Sequence, residues 1–334
     1  MVSAVIFVAT SCVSPLTGFA FWETNLAYEG ESICNYLQVK NLSDRTILST
    51  NVLFGVQSVT MKDKGLTGMY YDTALAAPAL ADNANSALIL GMGTGTYARQ
   101  LKQYYPKMNI TGVEIDQKIT DLAGEYFDEP ADIPVTTYDG RAWLAASHDK
   151  YDVIMVDAYQ DITIPFQMSS TEFFTMVREH LNPGGVMVVN MNMISDGQGS
   201  INEALSDTIA SVFGNGNTLT ADVPNTTNRE LFAKKPGSGS EENSMQQASK
   251  ALNLRETTYE RTGSEDLEWY MEEVASRFRK VNEPDSASTI LTDDKAPVEV
   301  LGMHVIDQII ADEAGPYRQI LKDEGFGGLL RAVQ

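Results

Sequence analysis

Leu88-Ile89-Leu90-Gly91-Met92-Gly93-Thr94-Gly95 is the stretch that decides the fold. An apolar run ending in closely spaced glycines reads as a buried strand turning sharply into a helix. Glycine allows the tight turn and lets the backbone approach a ligand with no Cβ in the way. Taken alone, the pattern fits either a plain strand-to-helix turn or the cradle of a nucleoside.

Outward from this stretch, apolar runs alternate with amphipathic ones. Strands are expected at Ala87–Leu90, Ile110–Glu114, Pro134–Tyr138, Val153–Val156 and Val186–Asn190. Helices are expected between them, at Tyr97–Tyr105, Lys118–Phe127 and Thr171–Leu181. Such alternation implies βαβ units and a mostly parallel sheet. Asn182-Pro183-Gly184-Gly185 reads as a turn that stops a helix and releases the next strand. A helix at Ile201–Phe213, strands at Thr218–Val223 and Glu230–Ala233, a flexible loop at Lys234–Ser244, and helices at Asp266–Val281 and Val305–Leu321 complete the pattern. Upstream, Ile33–Lys40, Arg45–Leu53 and Val56–Met61 are rich in β-branched and aromatic residues. The expected fold is α/β: a doubly wound, Rossmann-like (class I methyltransferase-like) sheet over residues 79–334, with a small N-terminal β domain over 22–78. Residues 1–21 form an apolar segment too short to span a bilayer alone and without the basic start of a signal peptide. It reads as a membrane stub, a truncated signal or a packed strand.

The 334 residues carry a net charge of −21, which argues against nucleic acid, since phosphate binding needs a basic surface. An acidic surface suits a cationic partner, and equally suits solubility alone. Cys12 and Cys34 lack metal-ligand spacing, and His148, His180 and His304 are scattered, so no metal site is expected. A reducing, cytoplasmic setting follows, at the membrane face if residues 1–21 are an anchor.

Acids stand at successive strand ends, the edge where such sheets bind ligands. Glu114 lies roughly 20 residues after the glycines, where a carboxylate accepts both ribose hydroxyls. Asp116 reads as the cap of the next helix. Asp139, before Gly140, is placed either to accept from an adenine amine or to cap a helix. Asp157 closes the apolar run Val153-Ile154-Met155-Val156, at the lip of the same crevice. There a carboxylate can deprotonate an attacking amine, pair with a cation, or simply be satisfied by backbone amides. Ile162-Thr163-Ile164-Pro165-Phe166 reads as a lid over the site.

The glycine stretch, Gly112-Val113-Glu114-Ile115-Asp116, Tyr138-Asp139-Gly140, the Val156-Asp157 strand end and Leu291-Thr292-Asp293-Asp294-Lys295-Ala296-Pro297-Val298-Glu299 together resemble the spermidine synthase (polyamine aminopropyltransferase) family in order and spacing. The likeness runs from about Glu31 to His304 and is nearest the membrane-fused bacterial branch. Leu53-Phe54-Gly55-Val56-Gln57 resembles the family's Leu-Asp-Gly-x-x-Gln hairpin, one residue shorter, and Tyr70-Tyr71-Asp72 resembles its Tyr-His-Glu. Ser32 to Asn35 stands where the family has Ser-x-Tyr-Gln, with Cys34 in place of the Tyr.

The resemblance implies roles. Asp157 would activate the amine, with Tyr70 beside it. Gln57, Tyr71 and Asp72 would bind the acceptor, together with Gln160 and Asp161. Gly91, Gly93, Thr94, Gly95, Glu114, Asp139 and Gly140 would hold the donor. It also implies a homodimer and an aminopropyl donor, decarboxylated S-adenosylmethionine, that leaves methylthioadenosine. Two departures bear on the donor. Thr94 replaces the family's acid that pairs with the donor's primary amine, and Gln160 replaces the second acid after Asp157. Three functions stay open: aminopropyl-type transfer to an amine, an enzyme that uses intact S-adenosylmethionine for methyl transfer or cleavage, and a non-catalytic nucleoside sensor.

Overall fold

The computed structural model describes residues 23–51, 56–128, 130, 132–159, 164–192, 199–237, 244–286, 288–303 and 322. The expectations for residues 1–21, 160–163 and Val305–Leu321 lie outside these, as do 238–243 of the expected flexible loop.

Five strands form the parallel centre of one sheet: β5 (Ser86–Leu90), β6 (Asn109–Glu114), β7 (Val135–Thr137), β8 (Tyr151–Val156) and β9 (Leu181–Met191). β10 (Thr218–Asp222), β11 (Arg229–Lys234) and β12 (Arg279–Lys280) extend it antiparallel, in the order β12-β10-β11-β9-β8-β5-β6-β7. The edge strands β7 and β12 are three and two residues long, which limits the unpaired backbone they expose. Every residue of β8 is buried, as a strand covered on both faces requires.

The period of two sorts the core. Ile89, Met155, Val188 and Phe232 face one side, under α1 (Tyr70–Ala74), α2 (Ala76–Leu80), α3 (Thr96–Tyr104) and α10 (Glu265–Arg277). Leu88, Leu90, Ile154, Val156, Met187 and Leu231 face the other, under α5 (Gly140–Ala146), α6 (Thr171–His180) and α7 (Ile201–Phe213).

A separate antiparallel sheet runs β1-β2-β3-β4, from Leu26–Glu31, Tyr36–Asn41, Arg45–Thr50 and Ser58–Met61. Its Leu37, Val39 and Leu48 pack on Ile119, Leu122 and Phe127, seating it against α4 (Gln117–Tyr126). Fully burying one such side chain contributes about 1.5–3 kcal/mol, so apolar burial helps hold the small sheet to α4.

Several boundaries differ from expectation. β1 was not anticipated. The expected strand from Ile33 begins only at Tyr36, because Ser32 to Asn35 forms a turn closed by the Ser32 N–H on the Asn35 carbonyl at 2.8 Å. Asn182 to Gly185 do not separate a helix from a strand. They loop out within β9, whose Leu181 and Val186 pair with Tyr151 and Val153. Lys234 and Ser244 belong to β11 and α8 (Ser244–Ala248) rather than to the loop between them. The helix expected to Val281 stops at Arg277, where β12 begins two residues later. α9 (Ala251–Thr262) was missed because it lacks an apolar stripe: only Leu254 and Thr258 are buried.

Candidate active site

A cavity of about 310 Å³ opens at the C-terminal ends of β5, β6, β7 and β8. Here the chain's crossovers diverge on either side of β5, the switch point where open α/β sheets bind ligands. Gly91, Gly93, Glu114, Asp139, Gly140 and Asp157 form its floor, Gln57 and Tyr71 one wall, and the Ile33–Asn35 turn part of its roof. Sequence-distant residues thus converge on one cleft.

The glycine loop fits without slack. Gly91, Gly93 and Gly95 have φ of 88°, 56° and 79°, a region other residues avoid. A Cβ on Gly91 would lie 2.4 Å from the Asp157 carbonyl oxygen, and one on Gly93 2.8 Å from Ser58 Oγ.

Glu114 is buried, and its oxygens accept from the Gly93 and Asp116 N–H groups at 2.8 and 3.0 Å. Burial raises its pKa against those donors. A carboxylate has about four lone-pair sites, so acceptor capacity is left for ligand hydroxyls. Asp116 caps α4 through the Lys118 N–H at 3.0 Å, as expected. Its other oxygen accepts from Ser32 Oγ at 2.5 Å and Asn35 Nδ2 at 2.9 Å, clasping the roof turn to the floor. Asp139 caps α5 through the Ala142 N–H at 2.7 Å and still borders the cavity.

Asp157 is half-buried at the end of β8. Tyr70 donates to Oδ2 at 2.7 Å and Asn190 Nδ2 to Oδ1 at 2.8 Å. Burial pushes its pKa up to about 7; the two donors pull the other way, and the charge of Glu114 adds to the rise. Tyr71 donates to the Gln57 carbonyl at 3.0 Å, and the Tyr70 and Tyr71 rings lie 4.0 Å apart.

Other expected residues stand away from the wall. Tyr70 reaches the site through Asp157. Thr94 is fully buried, and its Oγ1 meets no hydrogen-bond partner among the described residues. Gly95 heads α3. Asp72 is buried and accepts from the Thr67 N–H, Thr67 Oγ1, the Gly68 N–H and Gln100 Nε2 at 2.5–2.9 Å, so it holds a loop instead of facing the cavity. Gln160 and Asp161 lie outside the described residues. Of the expected lid, Pro165 borders the cavity. The late motif acts as a buttress: Asp293 pairs with Arg141 of α5 at 2.8 and 2.6 Å and accepts from Ser170 Oγ at 2.5 Å.

Asn190, Tyr159 and Ser58 were missed, and Cys34, noted only as a departure from the resembled motif, lines the cavity. Asn190 ends an anticipated strand, so its place was readable, but an amide lacks the charge that marked the acids. Among the described residues no group of His, Cys, Asp and Glu is arranged to hold a metal ion, and no helix is long and apolar enough to cross a membrane.

The chain is similar to several known proteins. A family model described as the spermine/spermidine synthase domain matches residues 69–235. A probable polyamine aminopropyl transferase of Bifidobacterium longum (strain NCC 2705) is 99% identical over 334 residues, all of this chain and 75% of that protein. The polyamine aminopropyltransferase of Corynebacterium efficiens is 37% identical over 131 residues, 36% of this chain and 25% of the relative. A solved probable spermidine synthase from Corynebacterium glutamicum ATCC 13032 shares the fold at TM-score 0.56, with 21% identity, over 80% of this chain and 99% of that one.

Proposed function

Because the chain belongs to the spermine/spermidine synthase family, we propose that it is a transferase moving an aminopropyl group from decarboxylated S-adenosylmethionine to an amine, with release of methylthioadenosine. The observation that carries this reading is Asp157, bound by Tyr70 and placed beside the glycine loop and Glu114 in one cleft.

The acceptor enters as an ammonium and gives one proton to Asp157. The freed nitrogen lone pair attacks the methylene carbon next to the sulfonium. A C–N bond forms as the C–S bond breaks, its electron pair staying on sulfur, so positive charge passes from sulfur to nitrogen. The leaving thioether is neutral, so alignment of nitrogen, carbon and sulfur is the main task of the protein. A base with a pKa of about 7 suits this work, since proton transfer is most effective when its pKa lies near the working pH.

A second reading rests on the sequence alone: the acid that the resembled family carries at the position of Thr94 is absent, so intact S-adenosylmethionine is the alternative donor. Incubation with either donor and a diamine, followed by mass spectrometry, separates the readings. Methylthioadenosine formed one-for-one with an aminopropylated amine supports the proposal. S-adenosylhomocysteine would indicate methyl transfer, and no product from either donor would leave only the sensor. Asp157→Asn keeps shape but cannot take the proton; turnover with the amine should fall by roughly 10²–10⁴-fold while methylthioadenosine binding persists. The reading extends to a cytoplasmic homodimer, at the membrane face if residues 1–21 anchor it; sedimentation and cell fractionation test those points.

A further inference from the structure

Asn228 lies just before β11, in the connection from β10, with its carbonyl accepting from the Val223 N–H at 3.0 Å and its own N–H donating to Thr226 Oγ1 at 3.1 Å. Its Nδ2 donates to Asn190 Oδ1 at 2.8 Å. Val156 pairs with Val189, so Asn190 stands beside Asp157 across β8 and β9. Asn190 is buried, and water is therefore no ready substitute for its protein partners. A line of hydrogen bonds runs Asn228, Asn190, Asp157, and Tyr70 closes it on the far oxygen.

An amide has one donor end and one acceptor end. Ionised Asp157 only accepts, so Asn190 must offer it Nδ2, which leaves Oδ1 for Asn228. Resting on the reading of Asp157 as the base, we propose that Asn228 is a positioning residue for transfer: by donating to Asn190 it fixes the amide that donates to Asp157 and so keeps the base ionised.

The surroundings make that donor matter. The titratable groups facing Asp157 are Tyr70 and Tyr71 of α1, Glu114 of β6, Tyr159 beyond β8 and Glu230 of β11. None of these is a cation. Among the described residues Tyr70 and Asn190 donate to its side chain, and they oppose the burial that favours the neutral acid. Without Asn228, the Asn190 amide can turn its oxygen toward Asp157, exchanging attraction for repulsion. Buried polar networks are sensitive to such a loss, because a half-satisfied member has no alternative partner.

The test is the pH dependence of kcat in Asn228→Leu, in Asn190→Leu and in the double variant. Asn228→Leu should move the acid limb upward by about one pH unit, so that kcat falls about tenfold well below the limb and recovers above it. KM should change little, and methylthioadenosine affinity should stay within about twofold of the parent. In the Asn190→Leu background the second substitution should add nothing, because both act through one amide. An unmoved limb overturns the proposal. So does an equal shift in both backgrounds, or a loss of kcat that is uniform with pH. If Asn228→Leu fails to fold, Asn228→Ala gives the same readout. An acid limb that persists in Asp157→Asn defeats the base assignment itself. A limb that vanishes there but ignores Asn228 defeats only this inference.

Discussion

Glu114 shows what one side chain must balance. Two backbone N–H groups hold it in place, yet burial favours its neutral form. Bonds from ribose hydroxyls to a carboxylate are each worth about 1.5–3 kcal/mol. Methylthioadenosine affinity, measured by calorimetry, should therefore fall at least about tenfold in Glu114→Ala, a change equal to about 1.4 kcal/mol. Unchanged affinity in a folded variant would remove Glu114 from the site. At this scale the acids were legible because each follows an apolar run that ends abruptly. Asp72 was assigned by likeness alone, and its four short bonds to the Thr67–Gly68 loop and Gln100 are tertiary facts that no local pattern encodes. Asn190 escaped for a related reason: its importance lies in what it touches.

Among the elements, β11 is the most unusual. It pairs with β9 in full register, Glu230 opposite Asn190, and Glu230 is fully buried with no partner for either carboxyl oxygen among the described residues. Burial, reinforced by the charge of Asp157, holds its pKa well above the usual 4.5. The unfolded chain thus loses this proton near pH 4.5 while the folded chain keeps it. Above that pH the folded state binds more protons, and stability declines by up to about 1.4 kcal/mol per pH unit from this group. Glu230→Gln removes that slope. Urea unfolding at pH 5 and pH 8 should show the variant gaining on the parent as pH rises; an equal difference at both values would mean that Glu230 ionises alike in both states. β5 and β8 were legible because burial on both faces leaves unbroken apolar runs. β1, with no buried residue, and α9, with two, carry too little apolar signal to be read.

Over the whole molecule, the charge of −21 bears on the cationic acceptor. Raising ionic strength from about 0.01 M to about 1 M shortens the screening length from about 30 to about 3 Å. The KM for a diamine should rise several-fold across that range, while the affinity for uncharged methylthioadenosine should hold; parallel salt responses would show that net charge plays no part in capture. The mostly parallel sheet followed from alternation, but the seating of the small sheet over the cleft did not. Ser32 and Asn35 reach Asp116 across 84 and 81 positions, a separation at which no periodicity survives.

Gly91 has a consequence for anyone redesigning this protein. Its α-carbon sits so near the Asp157 carbonyl that even a methyl group would collide at 2.4 Å, so the glycine loop and the backbone just past β8 pack with no room between them. A side chain added at Gly91 would therefore disturb both segments at once. The Ile33–Asn35 turn and Pro165 border the same cavity, and substitutions there alter its lining without entering that contact.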